Sequence, residues 1–159
     1  MVCGPPEDAS TQIGALISLE HLEKVESYIK LGVEEGGTIL TGGTREMTGH
    51  VTAANHGAFL RPTIIDGLHH TSRTSTEEIF GPVVTVHRFD SDEQAIEMAN
   101  STAYGLAGSI WSTNIDRAHG LAQQIETGII WVNTWLHRDL RTPFGGVKNS
   151  GVGLSLIHI

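Results

Sequence analysis

Leu106-Ala107-Gly108-Ser109-Ile110-Trp111, then Asn114 to Ile125, then Ile129-Ile130-Trp131-Val132-Asn133 is the run that decides the fold class. Its two outer segments are short apolar stretches, the second rich in β-branched and aromatic residues. The middle one places Ala118, Leu121, Ala122 and Ile125 at intervals of three and four. The reading is a buried strand, an amphipathic helix and a second strand. Upstream, Val83-Val84-Thr85-Val86 is a further strand. Ser91 followed three positions later by Gln94 resembles a capping box, and Ala95, Met98 and Ala99 give the helix behind it an apolar stripe that ends near Asn100. Strand, helix, strand, helix, strand predicts an α/β fold, a layered parallel sheet joined by right-handed crossover helices.

Further from this centre the pattern is less regular. Residues 4 to 17 read as a loop, because Gly4-Pro5-Pro6-Glu7-Asp8 does not start a helix cleanly. Leu22, Val25, Ile29 and Val33 then mark a helix with charged residues on its opposite face and Gly36-Gly37 as its stop. Thr38 to Thr41 is a short strand, residues 44 to 57 an exposed connection, and Phe59 to Ile65 a strand that Pro62 assigns to a sheet edge.

The 159 residues amount to about one domain at ~100 to 200 residues each. Ten Lys plus Arg against eighteen Asp plus Glu give a net charge of -8 with no basic patch, which argues against nucleic acid as a partner. A hydrophobic fraction of 39% with 18% charged residues belongs to a globular chain. No apolar run approaches the ~20 residues that span a bilayer, and the start lacks a basic and then apolar leader. Neither membrane insertion nor secretion is expected. The single cysteine, Cys3, allows no internal disulfide and suits a reducing compartment, so cytoplasm is the default. Nine histidines include no pair with recognised zinc spacing, so no metal is expected. Neither a G-x-G-x-x-G fingerprint nor a P-loop occurs, so any nucleotide contact must be partial.

Two stretches carry chemistry. In Glu77-Glu78-Ile79-Phe80-Gly81-Pro82, acids and a phenyl ring lead through a turn into a strand. One reading makes them solvated acids with a core phenylalanine. The other makes them a carboxylate that accepts both hydroxyls of a ribose beside a ring that packs on a planar base. From Trp131 to Lys148, aromatic and basic residues crowd the end of a strand, where ligand sites of parallel α/β sheets collect. Arginines there are placed to take an anionic substrate bidentately, or else Arg138-Asp139 is a surface pair and Gly145-Gly146 a simple turn. Cys3, beside Gly4-Pro5-Pro6, is poorly placed to be a nucleophile.

Four blocks in order, Ile13 to Ser18, Glu77 to Val84, Asn100 to Gly108 and Pro143 to Gly151, resemble the aldehyde dehydrogenase superfamily. The resemblance covers nearly all of residues 4 to 153. It implies the C-terminal part of the catalytic domain, with residues 1 to 153 as a partial domain. By residue match it implies that Glu78 binds the nicotinamide ribose of NAD and that Phe80 lies against the nicotinamide. The run Arg138 to Gly146 looks most like the branch acting on 2-hydroxymuconate and 2-aminomuconate semialdehydes, with betaine-aldehyde-like branches next. A small aldehyde carrying a carboxylate then implies Arg138 first and Arg141 second as its anchors, with Trp135 and Phe144 shaping an apolar tunnel. The family's cysteine nucleophile, general base and oxyanion-hole asparagine have no counterpart here, which implies a chain inactive alone, without catalytic residues of its own. Relatives are homo-dimers or homo-tetramers. A non-catalytic binding or scaffolding module with the same fold is the reading from another class. Residues 154 to 159, Leu-Ser-Leu-Ile-His-Ile, depart from the family and match one reading frame of a common transposase sequencing adapter, so they are expected to be a foreign tail.

Overall fold

The computed structural model describes residues 1–46, 57–139 and 141–152. They belong to two compact units, Met1–Arg88 and Phe89–Ile159. The expected tail, 154–159, lies outside the described residues, as do 47–56 of the expected connection.

In the first unit, helix α1 (Leu19–Glu34) starts where the Ser18 hydroxyl accepts a hydrogen bond from His21 N at 3.0 Å. Leu22, Val25 and Ile29 are buried, as their spacing predicts. Val33, the fourth expected inward position, is instead 50% exposed, and Gly32 takes the inner face. A Cβ at residue 32 would stand 3.0 Å from Ile65 Cδ1 and 3.2 Å from Thr74 Cγ2, so the last turn lies too close to its neighbours for a larger residue. The helix closes as a Schellman motif: Gly36 adopts φ +94, Gly36 N donates to Val33 O at 3.0 Å and Gly37 N to Gly32 O at 2.8 Å.

Strands β1 (Thr38–Thr41), β2 (Thr63–Asp66) and β3 (Val83–Val86) form a sheet in that order. β2 and β3 are parallel and connected through the short helix α2 (Arg73–Thr76), whereas β1 pairs antiparallel with β2. The edge-strand expectation for Phe59 to Ile65 is therefore corrected. The strand begins one residue after Pro62 and is central, so the missing proline N–H falls outside the ladder. Before it, Thr44 to Glu46 already pair with Phe59 to Arg61 through Glu46 N to Phe59 O (3.0 Å) and Arg61 N to Thr44 O (3.1 Å). Leu22, Val25, Ile29, Ala58, Leu60 and Ile79 make the core, each large aliphatic side chain contributing about 1.5–3 kcal/mol by burial.

In the second unit, helix α3 (Asp92–Asn100) is capped by Ser91, which accepts from Gln94 N at 3.2 Å, while Gln94 Oε1 accepts from Asp90 N at 2.8 Å. Ala95, Ile96 and Met98 are half-buried. Ala99, expected inward, is exposed although it stands only about 40° around the helix from half-buried Ala95, so α3 is covered by too little to bury its whole stripe. The strands are β4 (Tyr104–Gly105), β5 (Ala107–Ile110), β6 (Ile129–Val132) and β7 (Val147–Lys148), with helix α4 (Ile115–Ala122) between β5 and β6. β5 and β6 are parallel, Ala107 opposite Ile129 and Ile110 opposite Val132, so the expected strand–helix–strand unit is present. Asn114 caps α4 by accepting from Arg117 N at 3.0 Å, and Ala118 is buried beneath it. The strand expected to be buried over Leu106 to Trp111 is shorter and only half covered: Leu106 is 38% and Trp111 66% exposed.

Nor is Gly145-Gly146 a simple turn. It leads into β7, which pairs antiparallel with β4. A Cβ on Gly128 would lie 1.8 Å from Gly145 O, so two backbones meet where only glycine fits. Among the described residues no helix is long and apolar enough to cross a membrane.

Candidate functional site

The segment between α2 and β3 separates its two acids. Glu77 receives Arg73 Nε at 2.7 Å, Arg73 Nη2 at 3.1 Å and the Tyr28 hydroxyl at 2.7 Å. These donors, the guanidinium first and the phenol second, hold its carboxyl down at about 2. Glu77 is thus committed to the fold. Glu78 is exposed, and among the described residues nothing engages its carboxylate; its backbone oxygen accepts from Lys24 Nζ at 3.5 Å. A charged acceptor with free lone pairs is what a pair of ribose hydroxyls requires.

Ile79 is buried in the core and anchors the segment, and Phe80 follows it 74% exposed. That exposure excludes the core-phenylalanine reading. Phe80 also adopts φ +58, a left-handed conformation uncommon for a bulky residue. Its carbonyl oxygen accepts from His21 Nε2 at 2.6 Å, which places the ring proton on Nε2. An open cavity of about 330 Å³ lies along Thr74, Ser75, Glu77, Glu78, Phe80 and Thr85.

The second stretch begins where β6 ends. Asn133, at φ +54, clamps the neighbouring strand's exit: its Oδ1 accepts from Ser112 N at 2.8 Å and its Nδ2 donates to Ser112 O at 2.9 Å. Buried Trp131 donates from Nε1 to His137 O at 2.8 Å and carries Trp135 edge-on at 5.1 Å between centroids. Trp135 is 58% exposed. The Arg138 guanidinium sits 4.7 Å from the Phe144 ring centroid, a cation–π pair, and among the described residues no acid engages it. Arg141 is committed instead to Asp139, with Nε 2.9 Å from Oδ1, and this pairing holds the Asp139 carboxyl at about 2. Of the four side chains expected at a substrate mouth, Arg138 and Phe144 meet, Trp135 is tied to Trp131, and Arg141 is occupied.

Cys3 donates its thiol to Leu60 O at 3.6 Å. Burial, and then the Glu46 carboxylate, push its pKa up, so it stays a thiol at neutral pH, the unreactive form. Among the described residues no group of three His, Cys, Asp or Glu could hold a metal ion. Sequence reasoning missed His21, Lys24, Tyr28 and the Asn133 clamp. The first three receive no role from the apolar stripe of α1, yet their spacing of three and four sets them along its border, which is the available signal.

The profile of the aldehyde dehydrogenase family matches residues 1–158. The 2-hydroxymuconic semialdehyde dehydrogenase of Pseudomonas sp. (strain CF600) is 50% identical over 154 residues, 96% of this chain and 31% of the relative. The 2-aminomuconic semialdehyde dehydrogenase of Homo sapiens is 46% identical over 150 residues, 94% and 31% of the two chains. A betaine aldehyde dehydrogenase from Staphylococcus aureus, solved in complex with NAD+, superposes with a TM-score of 0.88 at 39% identity over 94% of this chain and 29% of its own. The chain spans about a third of the length of the curated relatives it matches. Its mixed α/β arrangement is that of part of an aldehyde dehydrogenase, and the chain belongs to the aldehyde dehydrogenase family.

Proposed function

We propose that this chain is one part of an NAD-dependent aldehyde dehydrogenase that oxidises a carboxylated semialdehyde, of the 2-hydroxymuconate or 2-aminomuconate type, to the acid. Alone it is inactive. The observation that carries the reading is the split between the acids, Glu77 consumed by Arg73 and Tyr28 and Glu78 left free beside an exposed, left-handed Phe80. These two residues fit the coenzyme: Glu78 would accept the hydroxyls of the nicotinamide ribose, and Phe80 would offer a flat apolar face. NAD, when bound, supplies the hydride acceptor.

Arg138 would bind the substrate carboxylate, because its guanidinium is uncommitted and already oriented on Phe144. Trp135 would extend the apolar wall, and Arg141, tied to Asp139, would act at most as a second anchor. The names of the relatives support this substrate class, since they act on semialdehydes of muconic acids. With its single cysteine kept as a thiol, the chain offers no thiolate, and in this reading thiolate attack and water activation fall to the rest of the enzyme. The same reading makes residues 1–153 a partial catalytic domain and 154–159 foreign to it. It also places the enzyme as a homo-dimer or homo-tetramer in the cytoplasm, in the breakdown of aromatic compounds.

The test is to extend the reading frame upstream of Met1 and express the full-length dehydrogenase. It should reduce NAD with a muconic semialdehyde, and Glu78→Gln should raise the KM for NAD roughly tenfold, as expected for loss of charge-assisted hydrogen bonds. The 159-residue chain should show no turnover. An upstream frame that does not encode a dehydrogenase, or a Glu78→Gln enzyme with unchanged coenzyme kinetics, refutes the reading.

A further inference from the structure

We infer that His21, Lys24 and Tyr28 form a ladder of positioning residues on α1 that holds the Glu77–Phe80 segment in the shape that offers Glu78 and Phe80 to the coenzyme. The inference rests on the coenzyme reading proposed above. The three lie at positions i, i+3 and i+7 along the edge of the stripe formed by Leu22, Val25 and Ile29. Each meets a successive part of the segment: the Tyr28 hydroxyl donates to the Glu77 carboxylate at 2.7 Å, Lys24 Nζ to Glu78 O at 3.5 Å, and His21 Nε2 to Phe80 O at 2.6 Å.

His21 matters most. A left-handed phenylalanine persists only where its surroundings over-determine it. Burial of the ring does not do so, because the ring is 74% exposed. What holds the backbone is the bond from His21 to the Phe80 carbonyl, with Ile79 buried on one side and Gly81 pressed on α1 on the other. A Cβ at residue 81 would come 2.7 Å from Val25 Cγ2. The imidazole also meets the Phe80 ring edge-on, centroids 6.1 Å apart at 72°. His21 is itself placed by the Ser18 cap on its own N–H. Without that donor the Phe80 carbonyl is no longer held, the residue can relax out of the left-handed region and the ring leaves its position. Tyr28 acts at the other end: with Arg73 it occupies Glu77 and so leaves Glu78 as the free acid.

The test uses the full-length dehydrogenase. His21→Ala should raise the KM for NAD about fivefold to tenfold, the worth of one ordinary hydrogen bond, with kcat changed less than about twofold. His21→Gln, which keeps a side-chain donor, should recover most of the loss. If His21→Ala does not fold, Tyr28→Phe, which removes only the hydroxyl, replaces it and should raise the same KM about twofold to fivefold. Variants that lower kcat at unchanged KM, or that leave both unchanged, overturn the ladder. Glu78→Gln and Phe80→Ala separate the two failures. If these alter the KM for NAD and the ladder variants do not, the inference falls and the coenzyme reading stands. If none of them does, the reading itself is wrong.

Discussion

The same chemical change, a methyl group added to a glycine, should have opposite effects at two positions eight residues apart. At Gly128 a Cβ would stand 1.8 Å from Gly145 O and 2.9 Å from Gly146 Cα, backbone atoms that no side-chain rotation can move. Ordinary contact needs more than 3.4 Å, so Gly128→Ala must push the Gly145-Gly146 segment that leads into β7 away by over an ångström. That strains the Gly128 N to Gly105 O bond and the pairing of β4 with β7. Overpacking costs about 1–3 kcal/mol and each lost hydrogen bond about 0.5–1.5 kcal/mol, so the expected destabilisation is about 2–4 kcal/mol. At Gly120, inside α4, a Cβ meets nothing within 4 Å, and Gly120→Ala should stabilise by about 0.5–1 kcal/mol through helix propensity alone. All three tryptophans, Trp111, Trp131 and Trp135, lie in the second unit, so fluorescence-monitored urea unfolding reports on it directly. With an m-value of about 1–1.5 kcal/mol/M, Gly128→Ala should lower the midpoint by about 2 M and Gly120→Ala raise it by about 0.5 M. An unchanged midpoint for Gly128→Ala would show that Gly128 and Gly145 do not touch, and with that the placement of Phe144 beside Arg138 would lose its support.

Two further outcomes are expected. In the full-length dehydrogenase, Arg138→Ala should raise the KM for a carboxylated semialdehyde about tenfold or more, and Arg141→Ala less than about threefold, because Asp139 already occupies Arg141; equal effects would refute the assignment of roles. Glu77 provides a pH test. Its carboxyl is lowered in the folded chain from 4.5 to about 2, so its contribution is complete above about 4.5 and is lost as pH falls toward 2. The Tyr28–Glu77 contact, followed by NMR, should therefore survive to about pH 3, and a Glu77 carboxyl titrating near 4.5 would contradict the pairing with Arg73 and Tyr28.

Much of the local structure is legible in the amino-acid order because it depends on neighbours within a few residues. The spacing of Leu22, Val25 and Ile29 makes α1 one-sided, Gly36-Gly37 closes it through a left-handed residue, Ser91 and Asn114 cap α3 and α4, and Thr38–Thr41, Val83–Val86 and Ile129–Val132 are strands as their composition suggests. The family blocks, too, are a property of order alone. What order does not contain is the distant partner. Pro62 suggests an edge strand, yet β2 starts just beyond it and is central, because β1 and β3 arrive from either side. Glu77 and Glu78 are identical in type and adjacent, as Arg138 and Arg141 are nearly so. Only folding separates the committed member of each pair from the free one, through Tyr28, 49 residues from Glu77, and through the ring of Phe144. Burial and hydrogen bonding between remote segments, which periodicity cannot report, decided which side chains remain available for chemistry.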